Sequence, residues 1–151
     1  MPDAGMTEVH VMPLRVYYED TDAGGIVYYA NYLKFAERAR TELLRDRGLE
    51  HAELLASDNI AFAVRECHAD YIKPARLDDL LEVRTRVTEI GGAALRMHQD
   101  ICRDGNVLVA VHVRLACMNV TTGAPKRLPD AVRDCLRTHA GENVNSGRRA
   151  E

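Results

Sequence analysis

The chain has 151 residues, 46% of them hydrophobic and 28% charged, and these fractions are typical of one soluble globular domain. The formal net charge is -3, and the basic residues are spread along the chain rather than gathered in one segment, which argues against a nucleic-acid-binding protein. No stretch contains the roughly 18 consecutive apolar residues that a membrane-spanning helix requires. The composition therefore predicts a soluble protein with neither a nucleic-acid partner nor a membrane span.

The cysteines, histidines and serines carry no pattern of a metal, disulfide or serine-hydrolase site. The 4 cysteines form no C-x-x-C pair, and no secretory-signal pattern precedes them. The 6 histidines show no H-x-x-x-H spacing, and no serine lies in a G-x-S-x-G turn. We therefore predict core thiols in a reducing cytoplasm, no metal site and no cofactor.

Hydrophobic periodicity is confined to the middle of the chain. Residues 1–7 and 141–151 are small, polar or charged, which predicts loose tails on either side of one domain at residues 8–140. Alternation of apolar and polar residues around Leu14 predicts a first strand that ends at Asp20.

One amphipathic helix follows the first strand. Apolar residues recur at helical spacing from Tyr29 to Arg47, and Gly48 then supplies the left-handed conformation that often ends a helix. The apolar positions of this predicted face are Tyr32, Leu33, Ala36, Ala39, Leu43 and Leu44. A shorter helical stretch is predicted at Glu50–Ala56.

The second half of the chain shows the period of strands. Four strands are predicted, at Ile60–Tyr71, Leu80–Ile90, Ala93–Arg103 and Val107–Asn119. Gly91-Gly92 and Asp104-Gly105 predict tight turns, so the last three strands form an antiparallel meander, and a short helix at Asp130–Thr138 follows it. Because no βαβ alternation occurs, the pattern predicts an α+β fold with one long helix packed on a five-stranded antiparallel sheet.

Three carboxylates and two adjacent glycines crowd the loop before the long helix, residues 19–27. In a structural interpretation, Asp20 or Asp22 accepts hydrogen bonds from nearby backbone N–H groups, and the glycines supply positive φ. In a functional interpretation, Gly24 and Gly25 let a ligand approach the backbone beside a helix N-terminus that favours negative charge. Asp22 is then the candidate nucleophile or general base. The spacing alone favours the structural interpretation.

Three motifs resemble one enzyme family. They are YEDTDAGGIVYYANY at residues 18–32, ERARTE at residues 37–42 and PARLDD at residues 74–79. Together they are similar to the YbgC-type branch of the 4-hydroxybenzoyl-CoA thioesterase family, over roughly Pro13 to Val132. The resemblance implies a hot-dog fold, in which an antiparallel sheet wraps around a long helix, and this agrees with the order of the predicted elements.

The resemblance also implies roles for particular residues. Asp22 matches the catalytic aspartate of the family, and Tyr29 matches the residue whose backbone N–H polarises the thioester carbonyl. The surrounding loop residues Gly24, Gly25 and Val27 are then expected to bind substrate. Many YbgC-type members have a histidine where this chain has Tyr29, so a histidine acid has no counterpart here.

Two further assignments are less direct. The predicted hairpin at Ile90–Ala94 lacks the basic residues that relatives often place near the CoA nucleotide, so Lys126 and Arg127 are the candidate phosphate-binding cations. Glu37 is an alternative catalytic carboxylate, because a second hot-dog lineage uses a glutamate on the helix. Its spacing from Lys34 and Thr41 favours a structural charge on the helix surface.

The implied function is hydrolysis of a short-chain or aromatic acyl-CoA, with the oxyanion at the helix N-terminus. The alternative is a non-catalytic scaffold of the same fold that binds acyl-CoA or an acyl-carrier protein. A single helix cannot cover both faces of a five-stranded sheet, and a long edge strand invites pairing. We therefore expect either a homodimer or a homotetramer built as a dimer of dimers, with the substrate at the boundary between subunits.

Overall fold

The computed structural model describes residues 8–137, apart from the side chains of residues 51 and 52. Both predicted tails and the end of the predicted domain lie outside the described residues. The helices and strands, in chain order, are β1 (His10–Arg15), a 3-10 turn (Tyr18–Asp20), α1 (Asn31–Asp46), α2 (His51–Asp58), β2 (Ile60–Tyr71), β3 (Leu80–Ile90), β4 (Ala94–Arg103), β5 (Asn106–Asn119) and α3 (Asp130–Arg137).

The five strands form one antiparallel sheet in the order β1-β3-β4-β5-β2. Strands β3, β4 and β5 form the predicted meander, and the turn at Asp104–Gly105 has positive φ at both residues, as a two-residue hairpin requires. Helix α1 packs on one face of the sheet, where Phe35 and Leu43 of the helix and Ile101 of β4 are almost completely buried. The predicted α+β architecture is confirmed.

The predicted limits of β2 and β3 agree with the structure, and those of β4 and β5 differ by one residue at the start. These limits were predictable because period-two alternation records which side chains face the helix. Helix α2 begins and ends slightly later than the predicted Glu50–Ala56. The predicted end of the last helix, Thr138, lies outside the described residues.

The predicted extension of the first strand to Asp20 is wrong. Strand β1 ends at Arg15, and Tyr18–Asp20 forms a 3-10 turn instead. The Asp20 carboxylate accepts a hydrogen bond from the Tyr17 N–H at 2.8 Å, and the Asp20 N–H donates to the Tyr17 carbonyl at 2.9 Å. This reciprocal pair of bonds bends the chain, although the apolar–polar alternation continues through the segment.

The predicted helix start at Tyr29 is two residues too early, and α1 begins at Asn31. The Asn31 backbone N–H donates to the Tyr28 carbonyl at 2.8 Å, and its side-chain amide donates to the Asp20 carbonyl at 2.9 Å. These bonds hold a turn between the loop and the helix. At the other end, Gly48 has φ +82°, which confirms its predicted role as the residue that ends the helix.

The buried face of α1 differs from the predicted apolar face at three positions. Leu33 is 38% exposed, whereas Phe35 and the charged residue Arg40 are only 1% and 9% exposed. The remaining predicted positions, Tyr32, Ala36, Ala39, Leu43 and Leu44, are buried as expected. The face of α1 that touches the sheet therefore carries a cation in its centre.

All four cysteines are free thiols, and two of them, Cys102 and Cys117, are buried. Burial raises the pKa of the partly buried Cys135 thiol to about 11. The prediction of a core thiol is wrong for Cys67, which is exposed because it lies on the edge strand β2.

None of the helices within residues 8–137 is long and apolar enough to cross a membrane.

Candidate active site

The loop between β1 and α1 is a compact hairpin. Thr21 pairs with Val27 in an antiparallel bridge, and the Asp22 N–H donates to the Ile26 carbonyl at 2.9 Å. The Gly25 N–H donates to the Asp22 carbonyl at 3.0 Å, which closes the turn. The predicted site residues Asp22, Gly24 and Gly25 are thus brought together at the tip of one short hairpin.

Within this hairpin, the Asp22 side chain is exposed and has a defined orientation. One carboxylate oxygen accepts a hydrogen bond from the Gly24 N–H at 2.8 Å. A Cβ atom at Gly24 would lie 3.3 Å from that same oxygen, and Gly25 has φ +80°. The positive φ of Gly25 therefore favours glycine there, and a side chain at Gly24 would press on the carboxylate. The local hydrogen bond of the structural interpretation is therefore present, and the Asp22 side chain that accepts it is exposed.

The start of α1 supplies unpaired donors. The backbone N–H groups of Tyr29 and Ala30 donate to no acceptor within the part of the chain that the structure describes. Partial positive charge accumulates at such a helix N-terminus, so these donors can bind an oxyanion. The Tyr29 side chain is 60% exposed and lies edge-on to the ring of Tyr71, with 6.0 Å between ring centroids. An aromatic surface therefore borders the two N–H groups.

The third motif, PARLDD, holds the hairpin in place. The Val27 N–H donates to the Ala75 carbonyl at 2.9 Å, and Ile26 forms a bridge with Arg76. The Ala75 N–H in turn donates to the Tyr32 hydroxyl of α1 at 2.9 Å. Val27 itself is buried, so it anchors the hairpin to the core, and its predicted contact with substrate stays a prediction.

Asp79 is a positioning residue that the sequence interpretation missed. Its carboxylate accepts hydrogen bonds from the Arg76 N–H at 2.8 Å and from the Arg103 side chain of β4 at 2.7 Å. Partial burial alone would raise the pKa of Asp79, but these bonds and the Arg103 charge hold it below its ordinary value. The ion pair ties the PARLDD segment to the sheet. In the sequence, only the PARLDD motif points to the Asp79–Arg103 ion pair, because Arg103 lies on a distant strand, β4.

The alternative carboxylate, Glu37, lies in a different place. It is six residues after Asn31, or about 9 Å along the axis of α1. Two adjoining cavities of about 220 and 230 Å³ lie between α1 and β2. Both are lined by Glu37, Arg40 and Val64. Within the described residues, Glu37 forms no ion pair with Lys34, which lies one turn away on the helix. Glu37 is therefore a surface carboxylate beside an apolar groove.

The predicted phosphate-binding residues lie far from Asp22 within one chain. The hairpin with Asp22 is bonded to the segment just before β3, whereas the Leu128 N–H donates to the Gly92 carbonyl just after β3. Strand β3 has 11 residues and spans roughly 33 Å. The Lys126 ammonium also donates to the Asp58 carbonyl at 2.6 Å, so it already stabilises the end of α2. Of these two cations, only Arg127 is exposed.

A family model and known proteins match this fold and these motifs. The model of the thioesterase-like superfamily matches residues 16–136. The chain belongs to this family. It is 44% identical over 121 residues to the acyl-CoA thioester hydrolase YbgC of Escherichia coli, a match that covers 80% of this chain and 90% of the relative. The predicted identification as a YbgC-type thioester hydrolase is confirmed.

Solved structures of thioesterases share the fold of this one. A probable thioesterase from Bartonella henselae is 38% identical with a TM-score of 0.78, covering 81% of this chain and 100% of that chain. A gentisyl-coenzyme A thioesterase is 28% identical with a TM-score of 0.77, covering 84% and 99% of the two chains. The hot-dog fold of this thioesterase is therefore confirmed. Within residues 8–137, no group of three or more His, Cys, Asp and Glu side chains could hold a metal ion.

Proposed function

We propose that this thioesterase hydrolyses acyl-CoA thioesters at the hairpin tip, with Asp22 as the reacting carboxylate. One observation carries the proposal: an exposed, oriented carboxylate lies in the segment that leads directly to two unpaired backbone N–H groups at the start of α1. The E. coli relative is named an acyl-CoA thioester hydrolase. That name favours an enzyme over the non-catalytic scaffold that the sequence left open.

The chemistry follows from the Asp22 carboxylate and the backbone N–H groups at the start of α1. The thioester oxygen accepts hydrogen bonds from the Tyr29 and Ala30 N–H groups, which stabilise the negative charge that develops in the transition state. As a nucleophile, Asp22 attacks the carbonyl carbon and expels the CoA thiolate, and water then hydrolyses the mixed anhydride. As a general base, Asp22 takes a proton from water, which attacks the carbonyl, and the proton passes to the leaving sulfur. Both routes yield a free acid and CoA thiol.

The exposed aromatic surface at the start of α1 favours an aromatic or short acyl group. Tyr28 and Tyr29 have ring centroids 4.9 Å apart, and Tyr71 of β2 lies beside them. A flat acyl group can stack on such rings, whereas a long flexible chain gains less from them. The name of the gentisyl-coenzyme A thioesterase, an aromatic acyl-CoA enzyme, supports this substrate class. A thiol-release assay with aromatic, short and long acyl groups, each on CoA and on acyl-carrier protein, tests the preference.

We also propose that the active protein is a cytoplasmic homodimer, or a dimer of dimers, in which two copies of β2 pair antiparallel. Such pairing sets the Ile60 end of one copy beside the Tyr71 end of the other. The loop with Arg127 follows β5, whose end pairs with Ile60. In the dimer, the partner's Arg127 therefore approaches the hairpin with Asp22, which Arg127 of the same chain cannot reach. Free thiols fit the reducing cytoplasm.

Replacing Arg127 with alanine is expected to raise KM for acyl-CoA about tenfold and to leave kcat unchanged, since a phosphate contact contributes equally to ground and transition states. A pantetheine thioester without the nucleotide should show no change. Lys126→Ala is expected mainly to lower the free energy of unfolding, by about 1 kcal/mol, because Lys126 binds the end of α2. Equal losses on both substrates would place the nucleotide elsewhere.

A further inference from the structure

Three histidines form a row across the face of the sheet that points away from α1. His68 of β2 is the cross-strand partner of His112 of β5, and His112 is the partner of His98 of β4. Gln99, the next residue after His98, is buried and donates to the Ala36 carbonyl of α1. Because side chains alternate along a strand and cross-strand partners share a face, the three histidines lie on the outer face.

Two of these rings meet in a close contact between nitrogen atoms. The Nδ1 atoms of His98 and His112 lie 3.2 Å apart, with 4.3 Å between the ring centroids and 73° between the ring planes. A divalent metal bonded to both atoms at about 2.1 Å would have an N–metal–N angle of about 100°, between the octahedral and tetrahedral values. The two residues meet only through the register of β4 and β5, so no spacing motif in the sequence predicts the pair.

A carboxylate holds the other nitrogen of His98. The distance from His98 Nε2 to Asp100 Oδ1 is 2.7 Å, and the two side chains are 15% and 27% exposed. A histidine that donates its Nε2–H to a carboxylate keeps the Nδ1 lone pair for a metal, and carboxylates in this position orient metal-bound histidines. Arg86 of β3 is the other cross-strand partner of His98, so the Asp100 carboxylate also offsets a nearby positive charge.

We propose that His98 and His112 bind one divalent transition-metal ion of the Ni²⁺, Cu²⁺ or Zn²⁺ class, with Asp100 orienting His98. Imidazole is a preferred ligand of all three metals. The Nδ1–H of His112 donates to His98 in the metal-free pair, and ligation moves that proton to Nε2 through solvent without a change of charge. His112 is exposed, so the ion enters from solvent, and water completes its coordination.

Two protein ligands make a weaker site than the groups of three or more that residues 8–137 lack. The ion therefore exchanges with solvent instead of being a permanent part of the fold. Because the pair is assembled only when β4 and β5 are paired, the ion binds the folded chain and stabilises it. The inference goes beyond the proposed hydrolysis and depends neither on Asp22 nor on the proposed self-association.

Isothermal titration calorimetry with Ni²⁺ tests the site, on untagged protein at pH 8, where imidazole is neutral. Ni²⁺ is the probe because thiolates compete for it less than for Zn²⁺. The wild type should bind one ion per chain, and His98→Gln or His112→Gln should raise the Kd at least tenfold. Asp100→Ala should raise it about tenfold, the usual effect of losing a carboxylate behind a metal-bound histidine. His10→Gln is the matched control, since His10 makes the same 2.7 Å contact with a carboxylate, Asp46 of α1, and should leave the Kd unchanged.

Thermal unfolding of the same samples gives a second readout and shows that each variant is folded. Saturating Ni²⁺ should raise the Tm of the wild type and of His10→Gln by at least about 3 °C, and that of His112→Gln by less than about 1 °C. Excess EDTA should reverse the shift. No binding by the wild type, or equal Kd values for His10→Gln and His112→Gln, would overturn the proposal, whatever the turnover number of the Asp22 variants.

Discussion

Asp22→Asn is expected to lower kcat for acyl-CoA hydrolysis by at least about a hundredfold, whichever role the carboxylate plays, because the amide is neither a nucleophile nor a base. The asparagine oxygen can still accept the hydrogen bond from the Gly24 N–H, so the hairpin should keep its conformation. Stopped-flow measurement of thiol release, with a denaturation curve of the same sample, separates loss of chemistry from loss of structure.

A neighbouring aspartate provides the matched control. Asp20→Asn makes the same chemical change two residues away, where the carboxylate caps the 3-10 turn through the Tyr17 N–H. The asparagine oxygen can still accept the Tyr17 N–H, so this variant should lose less than about 1 kcal/mol of unfolding free energy and keep kcat within a few fold. If Asp22→Asn retains turnover close to the wild type while Glu37→Gln abolishes it, the reacting carboxylate is the one on the helix.

The second large effect concerns stability. Gln99→Leu is expected to lower the free energy of unfolding by about 3 kcal/mol, because a buried guanidinium N–H loses its acceptor. Gln99 is fully buried, accepts from Arg40, and donates to the Ala36 carbonyl at 2.9 Å and the Thr85 hydroxyl at 3.0 Å. Urea denaturation at one fixed protein concentration measures the change. Met97→Leu, a buried substitution of similar volume on the same strand, should cost less than about 1.5 kcal/mol.

The double variant Arg40→Met/Gln99→Leu distinguishes this polar network from simple loss of packing. With both partners apolar, no guanidinium is left without an acceptor, so the double variant should be less destabilised than the sum of the two single variants. Strictly additive losses would mean that the two side chains stabilise the core independently.

The fold was largely predictable because burial imposes a period on the sequence. The alternation from Val107 to Leu115 predicted β5 almost to the residue, and Asp104-Gly105 and Gly48 predicted where the chain turns. The burial of Arg40 was not predicted, because hydrophobicity alone places a charged residue on the protein surface. Its partner Gln99 lies 59 residues along the chain, and only the packed sheet brings the two together.

The candidate site was predictable in part, for the same reason. The spacing of Asp22, Gly24 and Gly25 within one loop predicted a local carboxylate–backbone bond, and the structure contains it. The bonds from the PARLDD segment to the hairpin, and the Asp79–Arg103 ion pair, depend on contacts across the sheet. The distance of Lys126 from the hairpin likewise follows from the order of the strands in the sheet. The composition of a loop does not predict that order.

The central claim is that thioester hydrolysis occurs between the Asp22 carboxylate and the N–H groups that precede α1. A crystal structure with an acyl-CoA analogue in which a methylene replaces the thioester sulfur tests it most directly, because the ketone binds but is not cleaved. The account predicts a ketone oxygen about 3 Å from the Tyr29 N–H and a carbonyl carbon within about 3.5 Å of an Asp22 oxygen or of a water bound to it. A ketone seated in the α1–β2 groove beside Glu37 would contradict it.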